Sequence, residues 1–109
     1  MGYTPSQGDL VMINFTPQAG HEQTGRRPAL VVSNDQFHKR TNLMIACPIT
    51  TTTRGFPLHL PLKSSLKTKG FIMCEHVKSI DYTARGIQLK ERVDRETLDK
   101  ALQMIALFF

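Results

Sequence analysis

Short apolar blocks, some alternating with polar residues and some unbroken, follow one another along this chain at close spacing. Six of them predict β-strands: residues 10–16, 29–33, 43–50, 58–62, 71–81 and 84–93. The unbroken second and third blocks are typical of central strands that are buried on both faces. Pro48 marks a bulge or an end in the third strand, and Pro61 confines the fourth to a sheet edge. The fifth block starts as a buried strand and turns polar at Glu75.

Two segments carry helix signals. Residues 34–42 begin with Asn34, which favours a helix cap, so a short helical turn is expected there. Asp94 is placed to cap a C-terminal helix, with Val93 positioned to pack onto Leu98. The apolar face of this helix comprises Leu98, Ala101, Leu102 and Ile105, widened by Met104, Leu107, Phe108 and Phe109. Short strands, long loops and one terminal helix predict a single mostly β domain over residues 1–109, a small twisted barrel with α additions.

The net charge of +5 is distributed unevenly. Residues 1–93 carry a net +6 and residues 94–109 a net −1, which suits an anionic partner such as nucleic acid. A domain of this size is marginally stable alone and gains from burying a further face in a dimer. No apolar run approaches the ~20 residues of a membrane span, and the polar residues 1–8 predict no signal peptide. Cys47 and Cys74 lie in apolar runs and are interpreted as reduced core thiols of a cytosolic protein.

The segment 17–28, PQAGHEQTGRRP, is the one that folding explains least. It places a His, an acid, an amide and two arginines among glycines, between two prolines. Loops of ~12 residues are uncommon in compact domains and are usually functional or disordered. The core-like strand that follows favours an ordered, functional loop. Residues 51–57, TTTRGFP, are predicted to form a second exposed loop.

These residues resemble the MazF/PemK (Kid) family of bacterial toxins. The resemblance rests on GDLVMINFTPQAGHEQTGRRPALVVS, followed by CPIT, KGFIMCEHVKSID and ARG, and extends from Gly8 to the C-terminal helix. It implies an SH3-like (CcdB/PemK-like) barrel, a homodimer, and metal-independent, sequence-specific cleavage of single-stranded RNA, in particular mRNA. The implied products carry a 2′,3′-cyclic phosphate and a 5′-OH. It also implies neutralisation by a MazE/PemI-like antitoxin whose C-terminal segment covers the dimer.

Cutting RNA without a metal requires a base for the 2′-OH, a cation for the phosphorane and an acid for the 5′-oxygen. Arg27, next to Pro28, matches the family's catalytic arginine. Because arginine stays protonated, Arg27 is assigned to transition-state stabilisation. Thr50 matches a family threonine that donates a hydrogen bond at the scissile phosphate. His21 and Glu22 stay open as base or acid, and orienting Arg27 is an alternative role for Glu22.

Glu75 is a further catalytic candidate, but its surroundings depart from the family pattern. The Kid branch has R-x-D in this strand, with the Asp as the proposed base. Here Met73 replaces the arginine and Glu75 is one methylene longer than the aspartate. The site therefore looks closer to the MazF type, centred on Arg27 and Thr50. Two separated His/Glu pairs without an H-E-x-x-H pattern predict no metal, and no cofactor is expected.

The candidates for binding RNA are Gln23, Arg26, Arg54, Phe56, Lys78 and Arg85. Phe56 lies in the second exposed loop and suits stacking on a base. The family position of Arg26 is variable, so a solvated side chain is its alternative, and a structural role is the alternative for Gln23, Lys78 and Arg85. Two other functions compete: a CcdB-like toxin that binds DNA gyrase without catalysis, and a non-catalytic nucleic-acid-binding barrel. The Arg-Pro phosphate site argues against the gyrase-binding toxin.

Overall fold

A computed structural model of the protein describes residues 3–15, 25–52 and 55–109. In these ranges the elements are β1 (Asp9–Phe15), β2 (Gly25–Val31), α1 (Asp35–Thr41), β3 (Leu43–Thr50), β4 (His59–Pro61), β5 (Phe71–Met73), β6 (Lys78–Asp81), β7 (Gln88–Arg92) and α2 (Arg95–Ala106). A 3₁₀ turn, Cys74–His76, separates β5 from β6. Neither helix of the described chain has the length and apolar character that crossing a membrane requires.

The strands pair antiparallel throughout, in the order β4-β5-β3-β2-β1-β7. β3 has neighbours on both sides. It pairs with β2 on one side, and on the other its residues 43–46 pair with β6 and residues 49–50 with β5. This double pairing lets a short sheet close into a barrel-like shape, with α2 added at the C-terminal end. The predicted fold class, mostly β with a C-terminal helix, is confirmed.

Two apolar cores lie on the two faces of β1 and β2. The core that contacts α2, called the helix-side core, contains Leu10, Leu30, Val32, Cys47, Ile49, Ile72, Cys74 and Ala101. The opposite core contains Val11, Ile13, Ala29, Val31, Met44, Ala46 and Ile80. Neighbouring residues of β2 therefore enter different cores, which explains why its apolar run is unbroken. The prediction that this strand is buried on both faces is confirmed.

The predicted start of the second strand was wrong. β2 begins at Gly25 rather than at Ala29, because its ladder with β1 continues as far as the pair Phe15 and Gly25. Pairing with β3 stops at Ala29, so Pro28 lies where β2 has only one neighbour, a position that a residue without an N–H tolerates. Arg26 and Arg27 thus belong to a strand and not to a loop. The strand holds their backbone, and with it the direction of their side chains.

Two other boundaries also differ from the prediction. Pro48 lies inside β3, between the part that pairs with β6 and the part that pairs with β5. It therefore marks a change of neighbour rather than a strand end. The predicted strand 71–81 is interrupted by the turn Cys74–His76, which moves the chain from the β5 position to the β6 position beside β3.

Both helices begin where their capping residues predict. The Asn34 side chain accepts a hydrogen bond from the backbone N–H of Phe37 at 2.9 Å, and Asp94 accepts one from Thr97 at 3.0 Å. α2 buries the first part of its apolar face in the helix-side core. At its C-terminal end Leu107 is 79% exposed and Phe109 98% exposed, so the described chain leaves these apolar side chains uncovered.

Asp9, in the Gly-Asp pair that opens β1, anchors the strand. Its carboxylate is fully buried and accepts hydrogen bonds from the Ser6 N–H at 3.0 Å, from Arg92 Nε at 2.9 Å and from the Tyr3 hydroxyl. A buried carboxylate is tolerated only when it is paired and hydrogen-bonded. These donors therefore tie the start of β1 to β7 and to the N-terminal segment.

Gly70 brings the turn before β5 against the end of β3. Its φ is +130°, and a Cβ added there would lie 2.4 Å from the carbonyl oxygen of Thr50. Its own carbonyl accepts a hydrogen bond from the Leu62 N–H at 3.0 Å. Because backbone fills the space, only glycine allows Phe71 to pair with Thr50 as observed.

We expect Gly70→Ala to destabilise the protein by more than about 2 kcal/mol, since it adds both backbone strain and a clash with the Thr50 carbonyl. Gly86→Ala is the matched control, because a Cβ there meets no atom within 4 Å. Its effect should stay within about 0.5 kcal/mol. Urea unfolding measures both, and equal stability of the two variants would contradict the close approach of Gly70 to Thr50.

Candidate active site

A cavity of about 310 Å³, called the arginine cavity below, opens beside the start of β2 and the end of β3. Its lining comprises Arg26, Arg27, Pro28, Ile49, Thr51 and Lys69. Three of these side chains are cationic and none is acidic. Such a cluster attracts an anion, and a guanidinium holds a phosphate through two hydrogen bonds at once.

The register of β2 and β3 brings Arg27 and Thr50 to the same end of the two strands. Their pairing ends at Ala29 and Pro48, and Arg27 and Thr50 each lie two residues beyond this last pair, although Thr50 is not among the residues that line the cavity. Side-chain alternation puts both on the face of the opposite core, because Ala29 and Ala46 belong to that core. The two residues that the sequence placed at the centre of the site therefore come from neighbouring strands and share one face.

Thr50 and Arg27 are each half-buried. Arg27 lies opposite Ile13 of β1, which is fully buried and supports the base of its side chain. The Thr50 Oγ1 accepts a hydrogen bond from the Thr52 N–H at 3.2 Å. Because a hydroxyl can accept and donate at the same time, the Thr50 O–H can still donate to a bound group.

Arg26 crosses β1 to reach β7. Its guanidinium donates a hydrogen bond to the side-chain oxygen of Gln88, and Arg26 itself pairs with Asn14 of β1. Met12 of β1 pairs with Gln88 on the other side. The exposed Arg26 thus has a partner in the sheet, and this contact directs its guanidinium across β1 towards β7.

Lys69 enters the cavity from the turn that precedes β5. Its ammonium donates to the carbonyl oxygens of Ser64 at 3.0 Å and Leu66 at 2.8 Å, which uses two of its three N–H groups. The Glu91 carboxylate of β7 holds the same turn. It accepts hydrogen bonds from the N–H of Lys67 at 3.0 Å and from the N–H and hydroxyl of Thr68 at 2.5 and 2.6 Å.

The pKa of Glu91 reflects this turn. Burial acts to raise it, but the hydrogen bonds from Thr68 and Lys67 outweigh burial and hold the pKa below the ordinary value of a glutamate. The ionised carboxylate is therefore the form that fits the folded turn. Through that turn, β7 positions Lys69 at the arginine cavity.

Glu75 lies away from the arginine cavity. Thr50 pairs with Phe71 at the start of β5, whereas Glu75 lies in the turn that follows β5. Its Oε2 is 2.8 Å from His59 Nε2 and 3.5 Å from His76 Nε2. Its Oε1 is buried, without a hydrogen-bond partner among the described residues. Glu75 is therefore not among the residues that line the arginine cavity, and it follows the end of β5 that is away from the pair Thr50 and Phe71.

The other described candidates for RNA binding are spread over the surface. Phe56 is 46% exposed, and its ring meets His59 edge-on at 5.0 Å. Lys78 is exposed on β6, opposite Ala46. Arg85 lines a second cavity of about 460 Å³ together with Tyr3, Thr4, Tyr82, Thr83, Gly86 and Ile87. Of the predicted RNA-binding residues that the structure describes, only Arg26 lines the arginine cavity.

The remaining predicted site residues are His21, Glu22, Gln23 and Arg54, which lie outside the described residues. Their roles stay predictions. Among residues 3–15, 25–52 and 55–109, no three His, Cys, Asp or Glu side chains are grouped so that they could hold a metal ion.

Comparison with known proteins gives the family. A family model for the PemK-like, MazF-like toxin of type II toxin-antitoxin systems matches residues 6–109. The chain belongs to this toxin family. It is 38% identical over 96 residues to the endoribonuclease toxin MazF of Escherichia coli K12, covering 88% of this chain and 86% of that protein. Endoribonuclease PemK of Escherichia coli is 33% identical over 101 residues, covering 88% and 75%.

Solved structures agree with the family. A chain of the MazE–MazF crystal structure from Deinococcus radiodurans superimposes on this toxin with a TM-score of 0.89 at 38% identity, covering 97% of this chain and 96% of that one. The fold that positions the arginine cavity is therefore the fold of a MazF toxin.

Sequence reasoning missed two residues of the toxin's cavity, Thr51 and Lys69. Thr51 follows Thr50 directly, but four consecutive threonines give no signal for which of them lines a site. Lys69 is one of several lysines in a basic turn, and its only mark is the following Gly70. Its place at the cavity depends on the close approach of Gly70 to Thr50, which has no local signature.

Acid should weaken the hold of Glu91 on the turn that carries Lys69, and so lower the stability of the folded toxin. Since the folded pKa of Glu91 is depressed, its contribution to stability is complete above its ordinary value of 4.5 and is lost as the pH falls through the lower folded value. We expect Glu91→Gln to cost about 1–2 kcal/mol at pH 7 and to weaken the loss of stability below pH 4.5.

Urea unfolding between pH 7 and pH 3 provides the measurement. Asp99→Asn is the control, because that acid pairs with Arg95 on α2, outside the turn. Wild type and Asp99→Asn should show the same acid dependence. An unchanged acid dependence in Glu91→Gln would mean that this carboxylate does not hold the turn.

Proposed function

We propose that this toxin is an endoribonuclease that cuts single-stranded RNA, in particular mRNA, at a short sequence and without a metal ion. The observation that carries the proposal is the arginine cavity. Arg26, Arg27 and Lys69 surround one opening beside the end of β3, where Thr50 lies. The family relatives named endoribonucleases support it.

The cavity suits a phosphodiester better than a protein partner. Its cationic residues come from β2 and from the turn before β5, so two segments contribute positive charge to the lining of one opening. Arg27 has a fixed backbone and a buried support in Ile13. A preorganised cation is most effective where negative charge develops in the transition state.

The reaction we infer is attack of the ribose 2′-oxygen on the adjacent phosphorus, which expels the 5′-oxygen. Arg27 stabilises the charge on the non-bridging oxygens, and the Thr50 hydroxyl donates a hydrogen bond to the same phosphate. The proton acceptor and the proton donor are assigned to His21 and Glu22. The products then carry a 2′,3′-cyclic phosphate and a 5′-OH. Glu75 is not assigned to proton transfer, because it is paired with His59 away from the cavity.

RNA contacts beyond the scissile phosphate are proposed for Arg26, Gln23 and Arg54. Phe56 offers an exposed aromatic face for stacking, and Arg85 offers a cation beside two tyrosines at the second cavity. Lys78 adds positive charge on β6. These groups spread over the surface and would extend the binding path on either side of the cavity.

The proposed partners also follow from the positive charge of the cavity. A MazE/PemI-like antitoxin with an acidic, partly disordered C-terminal segment would compete with RNA for the basic cavity and fold on binding. MazE–MazF complexes of the family relative support this partner. Both proteins are proposed to act in the cytoplasm.

Two other functions remain as outcomes of one experiment. A gyrase-binding toxin would leave RNA intact, and a non-catalytic barrel would bind RNA without cutting it. Incubation of the purified protein with a short single-stranded RNA in EDTA distinguishes all three. The arginine cavity favours cleavage, because a protein-binding poison has no use for a converging phosphate site.

Arg27→Ala should lower the single-turnover rate of RNA cleavage by about 10²–10³, the usual effect of removing one preorganised donor. Arg27→Lys should recover only part of the rate, because an ammonium cannot replace the two-pronged guanidinium. His21→Ala and Glu22→Ala should cost less and change the pH dependence if either is the base.

The matched control is Arg95→Ala, which removes a cation that is 83% exposed on α2. It should cut RNA at the wild-type rate. Circular dichroism confirms folding of each variant. A folded Arg27→Ala protein that cuts within about tenfold of wild type, near 1.4 kcal/mol, would show that the cavity is not the catalytic centre.

The apolar end of α2 predicts a homodimer. Leu60, Met104 and Leu107 line a cavity of about 350 Å³, and Leu107 and Phe109 are largely exposed. Exposed apolar patches of this kind mark protein interfaces. Light scattering at micromolar concentration should give the dimer mass for wild type and a smaller mass for Leu107→Glu. A monomer mass for wild type throughout would contradict this prediction.

A further inference from the structure

Cys47 and Cys74 are buried nucleophilic groups that the proposed RNA chemistry does not use. Both are free thiols, fully buried in the helix-side core. Ile49 of β3 pairs with Ile72 of β5, and Cys47 and Cys74 each lie two residues beyond this pair, Cys74 as the first residue of the 3₁₀ turn. Both belong to the same buried core beside a strand pair whose Cα atoms lie ~4.5–5.5 Å apart, and a disulfide spans ~4.4–6.8 Å.

The two thiols lie in one buried core, and their interaction makes them unequal. Its main component is the hydrogen bonding of Cys47 with Cys74. This bond lowers the pKa of the Cys74 thiol, although burial and the nearby Glu75 act against it. It raises the pKa of the Cys47 thiol, and burial adds to that effect. Cys74 therefore has more thiolate character and is the better nucleophile of the pair.

We propose that Cys47 and Cys74 form a reversible intramolecular disulfide with a small oxidant of the peroxide class, and that this bond acts as a redox-sensitive latch between β3 and the turn after β5. The Cys74 thiolate attacks one peroxide oxygen, which forms a sulfenic acid and releases hydroxide. Cys47 then attacks the Cys74 sulfur and expels a second hydroxide. The two thiol protons convert both hydroxides to water, and two electrons pass from the thiols to the peroxide.

Burial determines which oxidants reach the pair. Ala101 of α2 belongs to the same core as both sulfurs, so α2 covers them. A small uncharged peroxide can enter through brief local opening, whereas a bulky aromatic disulfide reagent cannot. The bond joins two elements that already touch. It should therefore stabilise the fold, and the pairing of Thr50, three residues beyond Cys47 on β3, with Phe71 should stay as it is.

The test treats the folded full-length protein with hydrogen peroxide and measures its intact mass. We expect a mass about 2 Da below that of the reduced protein, because two hydrogens are lost. Trypsin digestion without reductant should yield one species joining residues 41–54 to residues 70–78. The melting temperature should rise by roughly 10 °C, and dithiothreitol should reverse both changes.

Serine variants assign the order of the steps. Cys47→Ser should stop at a Cys74 sulfenic acid that reacts with dimedone, and Cys74→Ser should react with neither peroxide nor dimedone under the same conditions. A bulky aromatic disulfide reagent should leave folded wild type unmodified. Three results would each overturn the latch. They are irreversible addition of oxygen without the loss of two hydrogens, disulfide-linked dimers, and an intramolecular disulfide that leaves the melting temperature unchanged.

Discussion

The pairing of β1 with β2 decides which side chains each face of the sheet receives. Because strand side chains alternate, a slip by one residue would exchange the faces and move Leu30 out of the helix-side core. The same slip would turn Arg27 away from the face it shares with Thr50. Residues 29–31 of β2 are buried and enter the two cores alternately, so a slip would disturb the packing of both cores. The proposed catalytic arginine is therefore held in place by the cores rather than by its own loop.

The arginine cavity depends on contacts between segments that are far apart in the chain. Gly70 lets the turn before β5 approach the Thr50 carbonyl, and Glu91 of β7 holds that turn through Thr68. Lys69 is thereby brought to the end of β3. The charge of the cavity thus comes from two arginines on a strand and one lysine on a braced turn, a geometry that can be rigid before RNA arrives.

The two ends of β5 have different chemistry. At its start, Phe71 pairs with Thr50 beside the cations. After its end, Glu75 is engaged with His59, and Cys74 points into the helix-side core towards Cys47. This separation is the reason why proton transfer is proposed for the segment that precedes Gly25. It also places the thiol pair in the helix-side core, which Ile49 of the arginine cavity shares.

The amino-acid sequence was enough to predict the mostly β fold, the caps at Asn34 and Asp94, the buried strand after Pro28 and the family. Each of these depends on local periodicity, on a capping side chain or on a contiguous motif. It also predicts Arg27 and Thr50 as site residues, because both belong to the segments that carry the family resemblance. Three features could be found only from the pairing of the strands, because pairing between distant strands overrides local pattern. They are the change of neighbour at Pro48, the turn at Cys74–His76 and the extension of β2 to Gly25. Only the tertiary structure could place Lys69 at the cavity and Glu75 away from it, because register between strands, and not residue type, decides which side chains meet.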